Sequence, residues 1–279
     1  MTSVTLTIAG SDSGGGAGIQ ADLKTFQELD TFGTSALTAV TAQNTLGVHA
    51  VQPIEPAMVV SQIEAVLDDF TVGAAKTGML FSSEIIEAVA DTLKRYPSFP
   101  LVIDPVMIAK GGSSLLQQNA IDALKEQLIP LATLLTPNIP EAEVLTGMSI
   151  KSLAHMESAA QQLLQMGCTA VVMKGGHRED EQFAEDLFMS AEGDYFLMKS
   201  ERIQTKDTHG TGCTFAAAIT AELAKGATIR DAVIKAKQFI QAAIEDGLGI
   251  GHGHGPTHHA ALRKRGLAER KDVELIGKR

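Results

Sequence analysis

The chain has 279 residues, 44% hydrophobic and 20% charged, with a formal net charge of -10. It is long enough to bury a substantial core, ordinary in composition for a globular protein, and without the basic stripe that a nucleic-acid partner requires. No apolar run reaches the ~18 residues of a membrane span. The start, MTSVTLTIAG, enters a strand pattern without a basic leader, and two cysteines, Cys168 and Cys213, cannot build a disulfide framework, so a cytoplasmic setting is expected.

VTLTIAG (4–10) predicts a strand and AGIQADLKTFQEL (17–29) a helix. FGTSALTAVTAQ (32–43) is β-rich, AMVVSQIEAVLDDF (57–70) has helical spacing, and VGAAKTGML (72–80) is a short buried strand leaving into a loop. A helix over 83–96, a strand over 100–107, a helix over 121–129 and strands over 132–138 and 169–176 follow. Such alternation implies a mostly parallel sheet covered by helices. The rhythm breaks at EDLFMSAEGDYFLMKSERI (185–203), two strand-like runs around a turn, which predicts a hairpin. Helices over 211–225 and 228–246 and a glycine-rich loop over 247–259 complete one domain, 1–259, with 260–279 as a charged helix or tail.

In an open α/β sheet, ligands bind beyond the carboxyl ends of the strands. The polar and glycine-rich clusters here follow strands: 10–18, Gln43 and Asn44, 77–79, 104–110, 138–141 and 174–176. They are expected to converge on one edge. GSDSGGGAGIQ fits neither G-x-G-x-x-G, since Ile19 stands where the last glycine belongs, nor a P-loop; its glycines still let a ligand approach the backbone. Asp104 in DPVM reads as a carboxylate able to hold Mg2+ through water, or as a turn aspartate. Asn138 and Glu141 in TPNIPEAE stand three apart at a helix entry. That suits a metal–phosphate pair, and equally a capping box. Lys174 in VVMKGGH is placed to neutralise a phosphate or to snorkel at the surface, and Lys237 on the last long helix is a weaker candidate.

THGTGC is sharper. Gly210 and Gly212 flank Thr211 just before a helix, so successive N–H groups and the helix dipole make an anion hole. Cys213, at the start of that helix, is expected to have a lowered thiol pKa and to accept a proton as thiolate. Cys168 reads as a small buried filler. His252, His254, His258 and His259 lie on a loop with no carboxylate or cysteine partner and read as a non-metal loop.

Together, GSDSGGGAGIQADLKTF, TAQNTLGV, KTGML, DPVM, TPNIPEAE, VMKGGH and THGTGC resemble the ribokinase-like family, in order, over about residues 4–259. More narrowly they resemble its hydroxymethylpyrimidine/phosphomethylpyrimidine kinase branch. The resemblance implies a three-layer α/β/α fold with a mostly parallel central sheet and a minimal lid. It implies ATP and Mg2+ as cofactors, a homodimer, and phosphorylation of a hydroxymethyl aminopyrimidine and then of its monophosphate, in thiamine biosynthesis. By motif it puts Gly210, Thr211, Gly212 and Cys213 at the anion hole, Cys213 standing where sugar kinases carry an aspartate base. Lys174, Thr208, Asn138 and Lys237 fall on the ATP side, and Glu141 and Asp104 near the metal. Gln43 falls on the pyrimidine edge, and Gly10, Met79 and Val106 in the substrate pocket. The sister branch, pyridoxal kinase acting on pyridoxal or pyridoxine, is the alternative; Gln43, donor and acceptor at once, favours the aminopyrimidine. A catalytically silent nucleotide-binding protein on this fold is countered by the intact anion turn, Cys213 and the Asn138 and Glu141 pair.

Overall fold

A computed structural model of the chain describes residues 2–107, 118–176, 182–265 and 274–277. The apolar runs become strands β1 (Val4–Asp12), β2 (Phe32–Asn44), β3 (Gly47–Pro53), β4 (Val72–Thr77), β5 (Leu101–Ile103), β6 (Leu134–Leu135), β7 (Ala170–Met173), β8 (Phe183–Ser190), β9 (Tyr195–Glu201) and β10 (Glu274–Gly277). They form one sheet in the order β10-β9-β8-β7-β6-β5-β4-β1-β2-β3. The run from β7 to β2 is parallel throughout. β3 returns antiparallel on β2, and β8, β9 and β10 continue antiparallel from β7. β8 and β9 are the expected hairpin.

Successive residues of the parallel strands face opposite sides, as the pleat requires. Leu6, Ile8, Ala75, Ile103, Leu135 and Val171 join one apolar cluster, and Ala74, Val102, Leu134, Ala170 and Val172 the other. Helices α2 (Pro56–Leu67), α3 (Ser83–Leu93), α4 (Gln118–Ala123), α5 (Ile139–Thr146) and α6 (Leu153–Gln165) cover the first face. Helices α1 (Gly18–Glu28), α7 (Thr211–Ala224), α8 (Ile229–Glu245) and α9 (Ala261–Arg265) cover the second. The result is the expected α/β/α sandwich. α7 is buried all round over 214–223, so it is fixed on every side and holds the turn at its N-terminus in place.

Two elements were silent in the sequence reading. β3 is an edge strand with no residue fully buried, so it lacks the apolar alternation that marks a strand. α6 carries its buried face partly on alanines, Met156, Ala159, Ala160 and Leu163; the spacing is helical but the hydrophobic contrast is small. The residues expected to form a tail contribute α9 and the edge strand β10, and Arg265 pairs with Glu245 and Asp246 at 2.6 Å. The chain leaves β1 to pair with β2 on one side and returns as β4 on the other. That reversal opens a crevice at the carboxyl ends of β1 and β4.

Candidate active site

The crevice is built from two glycine turns. At the end of β1 the Asp12 carboxylate gathers the turn around itself. Its Oδ1 accepts the Gly14 N–H at 2.8 Å, and its Oδ2 accepts those of Gly16 at 3.0 Å and Ala17 at 2.8 Å. Burial alone would raise the Asp12 carboxyl; the His209 hydrogen bond and the Gly14 and Ala17 amides outweigh it and hold the group below its usual range. The second turn ends at Gly210, which caps α7 in the left-handed region (φ 79°). A Cβ on Gly210 would collide with the Gly16 carbonyl oxygen, so the two turns sit back to back.

A cavity of about 520 Å³ lies over these turns. Of the residues singled out in the sequence, Gly10, Gln43, Met79, Asp104, Val106, Asn138, Glu141, Lys174, Thr208, Gly210, Thr211, Gly212 and Cys213 all line it. A second cavity of about 340 Å³ shares Asn138, Lys174, Thr208, Thr211 and Gly212 with the first. It extends over Phe215, Ile203, Ile240 and Ile244. Lys237 lies only there, buried, with its ammonium 2.7 Å from Asp186. Asp186 in turn accepts the Gly175 N–H. Lys237 therefore braces the strand end that carries Lys174.

The shared boundary concentrates charge. Lys174 Nζ lies 2.8 Å from Asp104 Oδ1. A Cβ on Gly212 would stand 3.3 Å from that ammonium and 3.4 Å from the carboxylate, so the turn, the cation and the anion meet at one point. Asn138 and Glu141 form a full capping box: the Asn138 side chain accepts the Glu141 N–H at 2.9 Å, and Glu141 Oε2 accepts the Asn138 N–H at 2.8 Å. The cap uses one oxygen of each side chain while both residues line the first cavity. Burial pushes the Glu141 carboxyl up to about 7, with Lys174 pulling against the rise and Asp104 adding to it.

Cys213 departs from expectation. Its thiol is pushed up to about 12, by burial above all. The Lys76 ammonium and the Gly18 N–H favour the thiolate, while Asp22 and Asp104 oppose it. The helix N-terminus does not prevail against burial, and the Asp22 and Asp104 carboxylates add to the rise. The thiol is therefore protonated at neutral pH. Its alkylation by iodoacetamide, followed by mass spectrometry of the Cys213 peptide, is expected to rise about tenfold per pH unit through pH 10, since only the thiolate reacts. A rate that levels off below pH 9 would contradict this assignment. Cys168 is buried as a filler, and burial pushes its thiol up to about 12 as well.

Four site residues escaped the sequence reading. Lys76 in β4 is fully buried against Asp22 of α1, with Nζ 2.9 and 3.0 Å from the two carboxylate oxygens, and Thr7 Oγ1 donates to Asp22 at 2.6 Å. Burial would lower the Lys76 amine, but the Asp22 carboxylate holds its pKa raised. Asp12 and His209 meet at 2.9 Å. The partners are 54 and 197 residues apart, so no local pattern announces them. The histidines of the 247–259 loop disperse. His259 is buried against Thr214, His258 Nδ1 lies 3.1 Å from the Asp246 carbonyl, and His254 lines the first cavity.

A family model described as phosphomethylpyrimidine kinase matches residues 12–258. A hydroxymethylpyrimidine/phosphomethylpyrimidine kinase of Bacillus subtilis (strain 168) is 54% identical over 263 residues, covering 94% of this chain and 96% of that one. One from Haemophilus influenzae is 56% identical over 261 residues, covering 93% and 97%. Among solved structures, a pyridoxal kinase from Staphylococcus aureus in complex with AMP-PCP and pyridoxal superposes over all of both chains with a TM-score of 0.90 at 37% identity. The phosphomethylpyrimidine kinase from Clostridium difficile 630 gives 0.76 at 46% identity, covering 86% of this chain and 99% of that one.

Proposed function

The chain belongs to the phosphomethylpyrimidine kinase family, and from that premise we propose that it phosphorylates 4-amino-5-hydroxymethyl-2-methylpyrimidine and then the monophosphate at the expense of ATP, supplying the diphosphate for thiamine biosynthesis. The observation that carries the reading is the pair of cavities joined across the Thr211 and Gly212 turn. The first offers apolar walls, Val48, Val51, Met79 and Val106, with Gln43 as a polar edge, which suits a small heteroaromatic ring. The second offers an apolar floor for adenine. Between them, the N–H groups that open α7 and the Lys174 ammonium face the transferring phosphoryl group, where fixed donors are worth most.

Cys213 lies beside the acceptor as a neutral thiol. Phosphoryl transfer through a loose transition state depends chiefly on positioning and electrostatics, so the reaction does not need a standing thiolate. Asp104 and Glu141 fit Mg2+, a hard cation that takes one or two carboxylates together with substrate phosphates. Both are nearly buried, and the Glu141 carboxyl raised to about 7 marks a place that would welcome positive charge. Mg2+ bound there supplies charge neutralisation at the phosphates. Glu141→Gln is expected to raise severalfold the Mg2+ concentration that gives half-maximal rate; an unchanged Mg2+ dependence would leave Glu141 as a helix cap only.

Pyridoxal phosphorylation is the second reading, favoured by the close superposition on the S. aureus pyridoxal kinase. The test is an acceptor panel with Mg-ATP: the pyrimidine alcohol, its phosphate, pyridoxal, pyridoxine and ribose. The pyrimidines should give the highest kcat/KM, and a preference for pyridoxal would reverse the order of the two readings. The enzyme is further proposed to act as a cytoplasmic homodimer. Support for the dimer comes from Val40 and Leu46, apolar and exposed along the β2–β3 edge.

A further inference from the structure

Gln43 is pinned by its backbone and free only at its carboxamide. Its N–H donates to Ser13 Oγ at 2.8 Å, and Ser13 Oγ donates to its carbonyl at 2.8 Å. One end of the carboxamide, Nε2, lies 3.2 Å from His209 Nε2, and the other, Oε1, lies 3.2 Å from Thr41 Oγ1. A half-turn about the last bond exchanges the two ends without changing the shape, so hydrogen bonding alone decides which faces which.

Both neighbours have their protons committed. Thr41 Oγ1 lies 2.7 Å from the Ser11 carbonyl oxygen, which can only accept, so the one hydroxyl proton goes there. Toward Gln43, Thr41 is left as an acceptor. His209 Nε2 lies 2.9 Å from Asp12 Oδ2, whose carboxylate already accepts three backbone N–H groups. An ionised carboxylate facing a ring nitrogen requires the proton to be on that nitrogen. Toward Gln43, His209 Nε2 therefore keeps no lone pair: an NH2 group there would face a donor, whereas an oxygen can share the proton. Each neighbour asks for the half-turned carboxamide, with NH2 toward Thr41 and oxygen toward His209.

Resting on the kinase reading above, we propose that Asp12, His209 and Thr41 lock the Gln43 carboxamide in that single orientation and so fix the donor and acceptor order that an acceptor ring must present. Gln43 touches the ring; the other three are positioning residues. An aminopyrimidine shows an amino donor beside a ring-nitrogen acceptor. Its 4-oxo analogue shows a carbonyl acceptor beside a ring N–H, the reverse order. A carboxamide free to turn serves both; a locked one serves one.

The experiment measures kcat/KM for 5-hydroxymethyl-2-methylpyrimidines carrying the 4-amino or the 4-oxo group, and takes their ratio. In the wild-type enzyme the ratio should be large. His209→Leu and Thr41→Val, on opposite sides of the carboxamide, should each shrink it about tenfold or more, the worth of one buried hydrogen bond of about 1.4 kcal/mol. In a Gln43→Leu background neither substitution should move it. A ratio held within twofold in either single variant, or moved as much without Gln43 as with it, would overturn the lock even where overall activity falls. Turnover of neither pyrimidine by the wild-type enzyme would overturn the kinase reading and the lock together.

Discussion

Gly210→Ala is expected to lower kcat for every acceptor, in both phosphorylation steps, by about 10²–10³-fold, the cost of misplacing a preorganised anion-hole donor. The position combines two demands that only glycine meets. Its φ of 79° lies in the left-handed region, where a side chain is strained. Its missing Cβ is also what lets the 208–213 turn rest on the Gly16 carbonyl. A methyl group must therefore lift one turn off the other, and the N–H groups that open α7 go with it. Backbone meets backbone here, so no side chain can swing aside to absorb the change. Gly16 is constrained from the opposite side, where a Cβ would stand 2.6 Å from the His209 ring and 3.0 Å from Pro256. Steady-state rates with the pyrimidine alcohol and with its phosphate, on folded variants, check the prediction. Activity within threefold of the parent would show that the turn's geometry does not carry catalysis.

Lys76→Met is expected to cost about 3–5 kcal/mol of folding stability, because it leaves the Asp22 carboxylate buried without its cation. Thr7 remains as a hydrogen-bond donor, but one hydroxyl does not replace an ammonium that reaches both oxygens. Removing both charges, Lys76→Met with Asp22→Leu, should recover most of the loss, since apolar groups of similar volume can replace a buried pair at little cost. Urea unfolding of the parent, single and double variants measures this directly. A single variant within about 1 kcal/mol of the parent would contradict the buried pair. The pair also bears on the site, because Lys76 favours the Cys213 thiolate while Asp22 opposes it.

The parts of this protein visible in its sequence are those whose physics is local. The buried parallel strands show as apolar runs, and among the described residues the clusters that follow them bring Gly10, Gln43, Met79, Asp104, Asn138 and Lys174 to one crevice, because a parallel sheet sends all its carboxyl ends to the same edge; 108–110 lie outside the described residues. Gly210, Gly212 and the Asn138 and Glu141 pair were legible because a turn and a helix entry each need particular residues at fixed spacing. Of the two readings of Glu141 the capping box is formed, and the residue also lines the cavity where the proposed metal role would place it. What local spacing cannot show is which distant groups meet. Asp22 sits within an ordinary amphipathic helix, and Lys76 is the last residue but one of a short strand; only the fold makes them one ion pair. The same blindness produced the error at Cys213. The helix N-terminus was readable, but the burial and the two carboxylates that outweigh it come from α1 and from the end of β5.

The central claim, two successive phosphoryl transfers at one anion turn, is tested most directly by a time course of the purified protein with Mg-ATP and the pyrimidine alcohol, resolved by phosphorus NMR. The monophosphate should rise and then fall as the diphosphate appears, one ATP being consumed per phosphoryl group transferred, and Gly210→Ala should slow both phases together. A monophosphate that accumulates without any diphosphate, or ATP consumed only when pyridoxal is supplied, would contradict it.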